Sequence, residues 1–236
     1  MMSLKIIALI PSRSGSERIK NKNIVKLGNK HLIGYTIKEA KKSKLFNYIL
    51  VSTDSKKYAK IAKSYGAEVP FLRPKKFAKS TSPDFEWVNH SINFLKSKKL
   101  NFDYFFILRP TNPFRTASTI LKGWNFYKKN NFPDSLRAIE ECKQHPEKMW
   151  YLKKNNQINP ILKKKYSGQP SYNMQFKSLK KTYIQNASLE ISKVSNLKKY
   201  NTITGKKIVG FQTTFIEGFD INYPEDLLRA KKYLKA

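Results

Sequence analysis

An α/β protein with a mostly parallel sheet is what this sequence predicts, and three observations predict it. Apolar, β-branched runs (IIALI at 6–10, NYILVSTD at 47–54, DYFFILRP at 103–110) alternate with stretches whose apolar residues recur at helical spacing. The stretches between them are long enough for the helical crossover that joins parallel strands, about ten residues or more. Each apolar run ends in a polar loop, and in such sheets ligands bind beyond the carboxyl ends of the strands.

The first strand runs from Ile6 to Ile10 and breaks at Pro11 into the loop SRSGSERIKNKN, centred on Gly15. HLIGYTIKEAKKSK (31–44) carries a helical stripe of Leu32, Ile33, Ile37 and Ala40. NYILVSTD is the second strand, and SKKYAKIAKSYG (55–66) a helix closed by Gly66. EVPFLRP (68–74) is a short extended piece. Ser82-Pro83-Asp84 starts a helix over 82–99 that buries Phe85, Val88, Ile92 and Leu95. DYFFILRP is a strand, TASTILKGWNFYKKN (116–130) a helix and DSLRAIEEC (134–142) a strand. The stretch 143–185 loses the rhythm: Pro, Asn and Gly recur without a period, so it reads as an inserted excursion, such as a hairpin arm. Its aromatic residues Trp150, Tyr151, Tyr166, Tyr172 and Phe176 suit packing against another subunit. YIQNASLEI (183–191) returns as strand. PEDLLRAKKYLKA (224–236) is a final helix with proline at its start and acids in its first turn.

The composition, with 40% apolar and 13% aromatic residues, is that of a folded globular chain. No apolar run reaches membrane-spanning length, and LKIIALIP lacks a signal-peptide layout. One cysteine, Cys142, excludes an internal disulfide and fits a reducing cytoplasm. The net charge of +31 would ordinarily point to nucleic acid or an anionic membrane. Here it is overwhelmingly lysine spread along the whole chain, with arginine only at 13, 18, 73, 109, 115, 137 and 229. No nucleic-acid-binding signature accompanies it, so specific nucleic-acid binding is not expected.

The opening loop offers small, hydroxyl-bearing and cationic residues at a strand's carboxyl end: Ser12, Arg13, Ser14, Ser16, Arg18, Lys20 and Lys22. Such a loop suits a polyphosphate, although neither standard glycine-rich nucleotide fingerprint is present. Asp220 and Asn222 flank Ile221, so on a strand end both would face one cavity. Their oxygens suit Mg²⁺; a helix-capping role ahead of Pro224 explains them equally well. Asp54 reads as a turn residue and His90 as a structural core residue, and no Ser/His/Asp spacing argues for a hydrolase.

IPSRSGSERIKNKN, VSTD, AEVPFLRP, LRPTNPFRT and FDINYPEDL, in this order, resemble the motifs of the CMP-acylneuraminate synthetases and their CMP-legionaminate and CMP-pseudaminate relatives. The resemblance spans essentially the whole chain. It implies a three-layer, Rossmann-like nucleotidyltransferase fold over 1–236, with 143–185 as an inserted dimerisation arm. It also implies a reaction: CTP and a nine-carbon acidic sugar give CMP-sugar and pyrophosphate, with Mg²⁺. By the family pattern Arg13, Ser16, Lys22 and Asn23 hold the triphosphate, and Lys22 neutralises charge on the leaving group. Arg73, Ser82 and Asp84 match cytidine-binding positions, and Asp220 the metal carboxylate, with Asn222 beside it. Arg109, Asn186 and Lys148 match positions near the sugar, and a homodimer is implied, with the arm reaching toward the partner's sugar site.

The chain departs from that pattern in several places. Glu17 stands where lysine is usual, Arg109 where glutamine is usual, and Asn222 where a second aspartate is usual. The usual Arg-Gln pair falls near Phe176 and Lys177, and NGAIY is replaced by Asn186-Ala187-Ser188-Leu189-Glu190. Arg109 suits a sugar carboxylate by bidentate pairing, and Arg18 is placed to offset Glu17. The rival acceptor, the eight-carbon acid Kdo, goes with Lys-Pro where this chain has Lys22-Asn23. A non-catalytic, basic nucleic-acid-binding protein is the alternative from another class.

Overall fold

The computed structural model describes residues 4–235. Strand β1 (Ile6–Pro11) is followed by helix α1 (Leu32–Lys42), β2 (Tyr48–Ser52), α2 (Lys56–Ser64) and α3 (Asp84–Ser97). Then come β3 (Tyr104–Ile107), α4 (Ala117–Lys129), β4 (Ser135–Glu141), β5 (Tyr183–Lys193), β6 (Ile208–Gln212) and α5 (Pro224–Lys235). The six strands form one sheet in the order β6-β4-β5-β3-β1-β2. β1 pairs in parallel with β2 and with β3, and β6 in parallel with β4. β5 lies antiparallel between β3 and β4, an exception to the parallel expectation. β1 also runs through Pro11: proline there loses no ladder bond, because the chain continues pairing through the N–H of Ser12, which donates to the Ser52 carbonyl at 2.9 Å.

The period-2 geometry of β1 explains why its apolar run is unbroken. Ile6, Ala8 and Ile10 pack on one face, with Ile33 and Ile37 of α1, Tyr58 of α2, and Ile120 and Trp124 of α4. Ile7 and Leu9 pack on the other, beneath Trp87, Val88, Ile92 and Leu95 of α3. Helices therefore cover both faces, and the strand ends at Pro11, Ser52 and Ile107 all open on one edge. Side-chain caps that the sequence reading did not single out fix two of the helix starts. Ser55 caps α2, Thr116 caps α4 with a reciprocal bond to Thr119, and α3 has Asp84 and Glu86 in its first turn.

The excursion after β4 is built as two small hairpins, 150–160 and 165–170, separated by a short irregular link. Its core is polar: buried His145 takes the N–H of Glu147 on Nδ1, and Glu147 accepts from Lys164 and Tyr166. Trp150 and Tyr172 pack with ring centres 4.6 Å apart, yet Met149, Trp150, Tyr151, Leu152, Ile158 and Phe176 remain exposed. Tyr183 to Gln185, where the readings of excursion and returning strand overlapped, pair in β5.

Arg115 locks the sheet edge from inside. Its buried guanidinium donates to the carbonyls of Ser188 (2.5 Å) and Arg109 (3.3 Å) and to Thr36 Oγ1 (2.8 Å), joining β5, the loop after β3 and α1. Burial drives its pKa down to about 9, against the pull of the Glu39 carboxylate. Arg115→Met is expected to destabilise the fold by about 3 kcal/mol in urea melts, since it removes a donor from the Ser188 carbonyl and leaves Thr36 Oγ1 and the Arg109 carbonyl only their long mutual bond. An unchanged denaturation midpoint would show that these bonds contribute nothing net.

Candidate active site

The loops beyond the carboxyl ends of β1, β2 and β3 meet the segment before α5 around a cavity of about 510 Å³. Its wall includes Arg13, Ser16, Lys22, Asn23, Arg73, Ser82, Asp84, Arg109, Asp220 and Asn222. Every residue that the sequence pattern assigned to nucleotide or metal therefore lies on one cavity. Asn186 does not; it lines a second cavity of about 300 Å³ with Glu140, Phe215 and Arg229, which shares Asp220 and Asn222 with the first. Lys148 lines neither and donates to the Tyr172 carbonyl within the excursion.

The opening loop is held by side chains rather than by regular structure. Asp54, at the end of β2, accepts from the N–H (2.8 Å) and the hydroxyl (2.7 Å) of Ser14, so it does more than the turn role read from sequence. Asn23 donates to the Arg13 carbonyl, and Arg13 to the Gly15 carbonyl at 2.6 Å. Gly15 lies outside the left-handed region, and a Cβ there would sit 3.5 Å from Arg13 Nη1, an ordinary contact. Its turn does not demand glycine. Asn21 supplies the left-handed residue instead (φ 57°), just before the helical turn Lys22–Ile24. Arg18 stacks on the Tyr223 ring at 4.7 Å and, among the described residues, makes no ion pair with Glu17.

The segment 219–222 pairs in no ladder, but the alternation read from sequence holds. Ile221 is buried and its N–H donates to the Thr111 carbonyl, while Asp220 and Asn222 face the cavity. Capping falls to Asp226, which accepts from the N–H groups of Asn222 and Tyr223. Lys22 Nζ donates to Asn222 Oδ1 (3.3 Å), and Asn222 Nδ2 donates to Asp220 Oδ2 (2.6 Å). Burial lowers the Lys22 pKa; Asp220 opposes that shift, and Arg18 and Arg13 add to it. A cation from the first loop and a carboxylate from the end of the chain are thus joined through one amide.

The cavity carries six basic side chains (Arg13, Arg18, Lys22, Arg73, Lys79, Arg109) against three acidic ones (Glu17, Asp84, Asp220). That excess suits a polyanion in a confined space. Arg73 is buried, donates to Ser52 and lies over Trp87 at 5.0 Å; burial takes its pKa down to about 10. Asp84 accepts from Trp87 Nε1 (2.7 Å) and Arg109 Nη2 (2.5 Å). Burial alone would raise its carboxyl pKa, but Arg109 and Trp87 hold it below the ordinary value. Behind them Glu190 accepts from Arg109 Nη2 at 2.8 Å and pairs with Arg137.

A divalent ion fits one position. Asp220 Oδ1 is buried without a hydrogen-bond partner among the described residues, the state of a carboxylate oxygen left for a cation. Among the described residues no group of three or more His, Cys, Asp or Glu could hold a metal, so other ligands would have to come from the bound molecule and water.

Sequence reasoning missed Trp87, Thr111 and Lys79 on the cavity wall and the Glu190–Arg137 pair behind it. Lys79 lies in the loop ahead of Ser82, and the cluster of Lys75, Lys76 and Lys79 after Arg73 was a signal that could have found it. The ion pair depends on neighbouring strands distant in sequence and had no local signal.

The profile of the cytidylyltransferase family matches residues 7–235. An N-acylneuraminate cytidylyltransferase of Escherichia coli O18:K1:H7 is 40% identical over 53% of this chain and 29% of its own length. A CMP-N,N′-diacetyllegionaminic acid synthase of Legionella pneumophila is 39% identical over 53% of this chain and 54% of its own. The matches thus span less than a third and about half of those relatives. Among solved structures, a CMP:2-keto-3-deoxy-manno-octonic acid synthetase complexed with CTP superimposes over 98% of both chains with a TM-score of 0.68 at 12% identity, a likeness of fold.

Proposed function

Because this chain belongs to the cytidylyltransferase family and is a nucleotidyltransferase, we propose that it activates a nine-carbon acidic sugar with CTP, giving CMP-sugar and pyrophosphate. One observation carries the reading: Lys22 of the first loop and Asp220 near the end of the chain converge on one cation-rich cavity through Asn222. The relatives named for acylneuraminic and diacetyllegionaminic acids support the acceptor class.

In this reading the acceptor's anomeric oxygen bonds to the α-phosphorus as the bond to the pyrophosphate oxygen breaks. Such a transfer needs positioning and charge stabilisation more than covalent chemistry. Arg13, Ser16 and Asn23 orient the triphosphate, and Lys22 meets the charge that moves onto the leaving group. Arg73, Ser82 and Asp84 seat the cytidine. Mg²⁺, held by Asp220 with Asn222 alongside, would supply Lewis-acid polarisation of the phosphate oxygens. The acceptor enters from the second cavity, past Asn186, which meets the first at Asp220.

The whole chain acts as one domain in this reading, in the cytoplasm and without a nucleic-acid partner. The exposed apolar side chains of the excursion support its use as a homodimer arm. Lys148 would then serve the partner's site rather than its own. Purified protein with CTP, Mg²⁺ and N-acetylneuraminic, N,N′-diacetyllegionaminic or pseudaminic acid should release pyrophosphate with at least one of them. Release with Kdo alone would transfer the assignment to the eight-carbon acid, and silence with all four would remove it.

A further inference from the structure

Four alternating charges, Asp84, Arg109, Glu190 and Arg137, run inward from the cavity wall nearest α3; Asp84 and Arg109 line the cavity, and Glu190 and Arg137 stand behind them. The sheet register places them together. Glu190 of β5 stands opposite Arg137 of β4 and opposite Ile107 of β3, and Arg109 follows Ile107 by two residues, on the same side. Glu190 is 5% exposed.

The hydrogens of Arg109 are spent unevenly. Nη2 has two, and both are taken, one by Asp84 Oδ2 and one by Glu190 Oε1. Nε and Nη1 make no hydrogen bond to the described residues, and Arg109 lines the cavity. Both faces with which a guanidinium grips a carboxylate in two-pronged fashion, Nε with Nη2 and Nη1 with Nη2, use Nη2. With Nη2 committed, the bidentate pairing anticipated from sequence has no free fork. The two acids also cancel the two bases, so the wall exerts little net pull on an anion.

We propose that Glu190 is a positioning residue that makes Arg109 a single-donor reader of an uncharged oxygen on the acceptor, a hydroxyl or an acylamido carbonyl, and not the anchor of its carboxylate. The inference rests on the cytidylyl-transfer reading given above. Glutamine at position 109, the more usual residue, also offers single N–H donors. Here Arg109 and Glu190 replace it as a couple, and neither is useful without the other. Glu190 alone would be a buried carboxylate facing only Arg137, and Arg109 without Glu190 would stay on Asp84 but regain one Nη2 hydrogen, enough to complete a two-pronged grip on an anion.

The test compares wild type, Glu190→Gln, Arg109→Gln and the double variant, with KM and kcat measured separately for CTP and for whichever of the three nine-carbon acids supports pyrophosphate release. Glu190→Gln is expected to raise the acceptor KM about tenfold while the CTP KM stays within about threefold. In the Arg109→Gln background the same change should add less than about threefold, because the residue it positions is gone. A role confined to folding would instead lower thermal stability in both backgrounds and leave the two KM values in step. Equal effects of Glu190→Gln with and without Arg109, or an effect on CTP as large as on the acceptor, would overturn the proposal. A wild-type protein that binds CTP but turns over none of the acids would take down the acceptor reading, and this inference with it.

Discussion

Replacing Asp220 by alanine is expected to lower turnover about a thousandfold while leaving the protein folded. The carboxylate has two oxygens with separate fates: Oδ2 is held by the Asn222 amide, and Oδ1 is buried with no donor among the described residues. A buried, unpartnered carboxylate oxygen is costly in the free protein, so its removal costs the fold little. The backbone nearby is secured independently, through the N–H of Ile221 on Thr111 and through Asp226 on Asn222 and Tyr223. Stability should therefore move by less than about 1 kcal/mol, as judged by urea denaturation, while single-turnover formation of CMP-sugar collapses. Mn²⁺ binding in the presence of CTP, followed by electron paramagnetic resonance, should weaken in parallel. A variant that keeps normal turnover would exclude Asp220 from metal binding.

Lys22→Ala is the second large effect, a loss of about a hundredfold or more in kcat with a smaller change in CTP affinity. The ammonium is half-buried at the junction between the cations of the loop and the Asp220 carboxylate. Arg13, Arg18 and Arg73 remain on the wall to attract the triphosphate when Lys22 is gone. In the proposed reaction, ground-state attraction is shared among several cations, whereas charge appearing on the departing pyrophosphate would be met locally. Single-turnover rates and equilibrium CTP binding separate the two contributions. A variant that binds CTP a hundredfold more weakly yet reacts at the normal rate would reverse the assignment.

Much of the fold was legible in the sequence because its causes are local. The β-branched run of β1 and the stripe of α1 follow from neighbouring residues, and these elements, like α2 and α4, fall within a few residues of expectation. The convergence of the loops after Pro11, Asp54, Arg73 and Pro110 followed from the rule that parallel strand ends share an edge, which needs only the order of the elements. What escaped depends on pairing between distant segments. Nothing in YIQNASLEI says that it lies antiparallel between β3 and β4, nor that Glu190 meets two arginines 53 and 81 positions away. Arg115 looked like one more cation, but it is a buried tie between three elements. The bidentate role of Arg109 was inferred from residue type; which nitrogen is occupied is a matter of geometry alone.

β5 begins at Tyr183 beside the excursion, passes Asn186 in the second cavity, slips register between Gln185 and Glu190, and then runs into the middle of the sheet. One ribbon therefore joins the outermost appendage to the innermost charge. A partner docked on the outer end, as the proposed dimer would have it, would touch the same strand that carries Glu190. On the proposed reading of the excursion as a dimer arm and of Arg109 as a contact to the acceptor, changes in the hairpins at 150–170 are expected to alter sugar preference as well as association, as acceptor KM values and sedimentation would show.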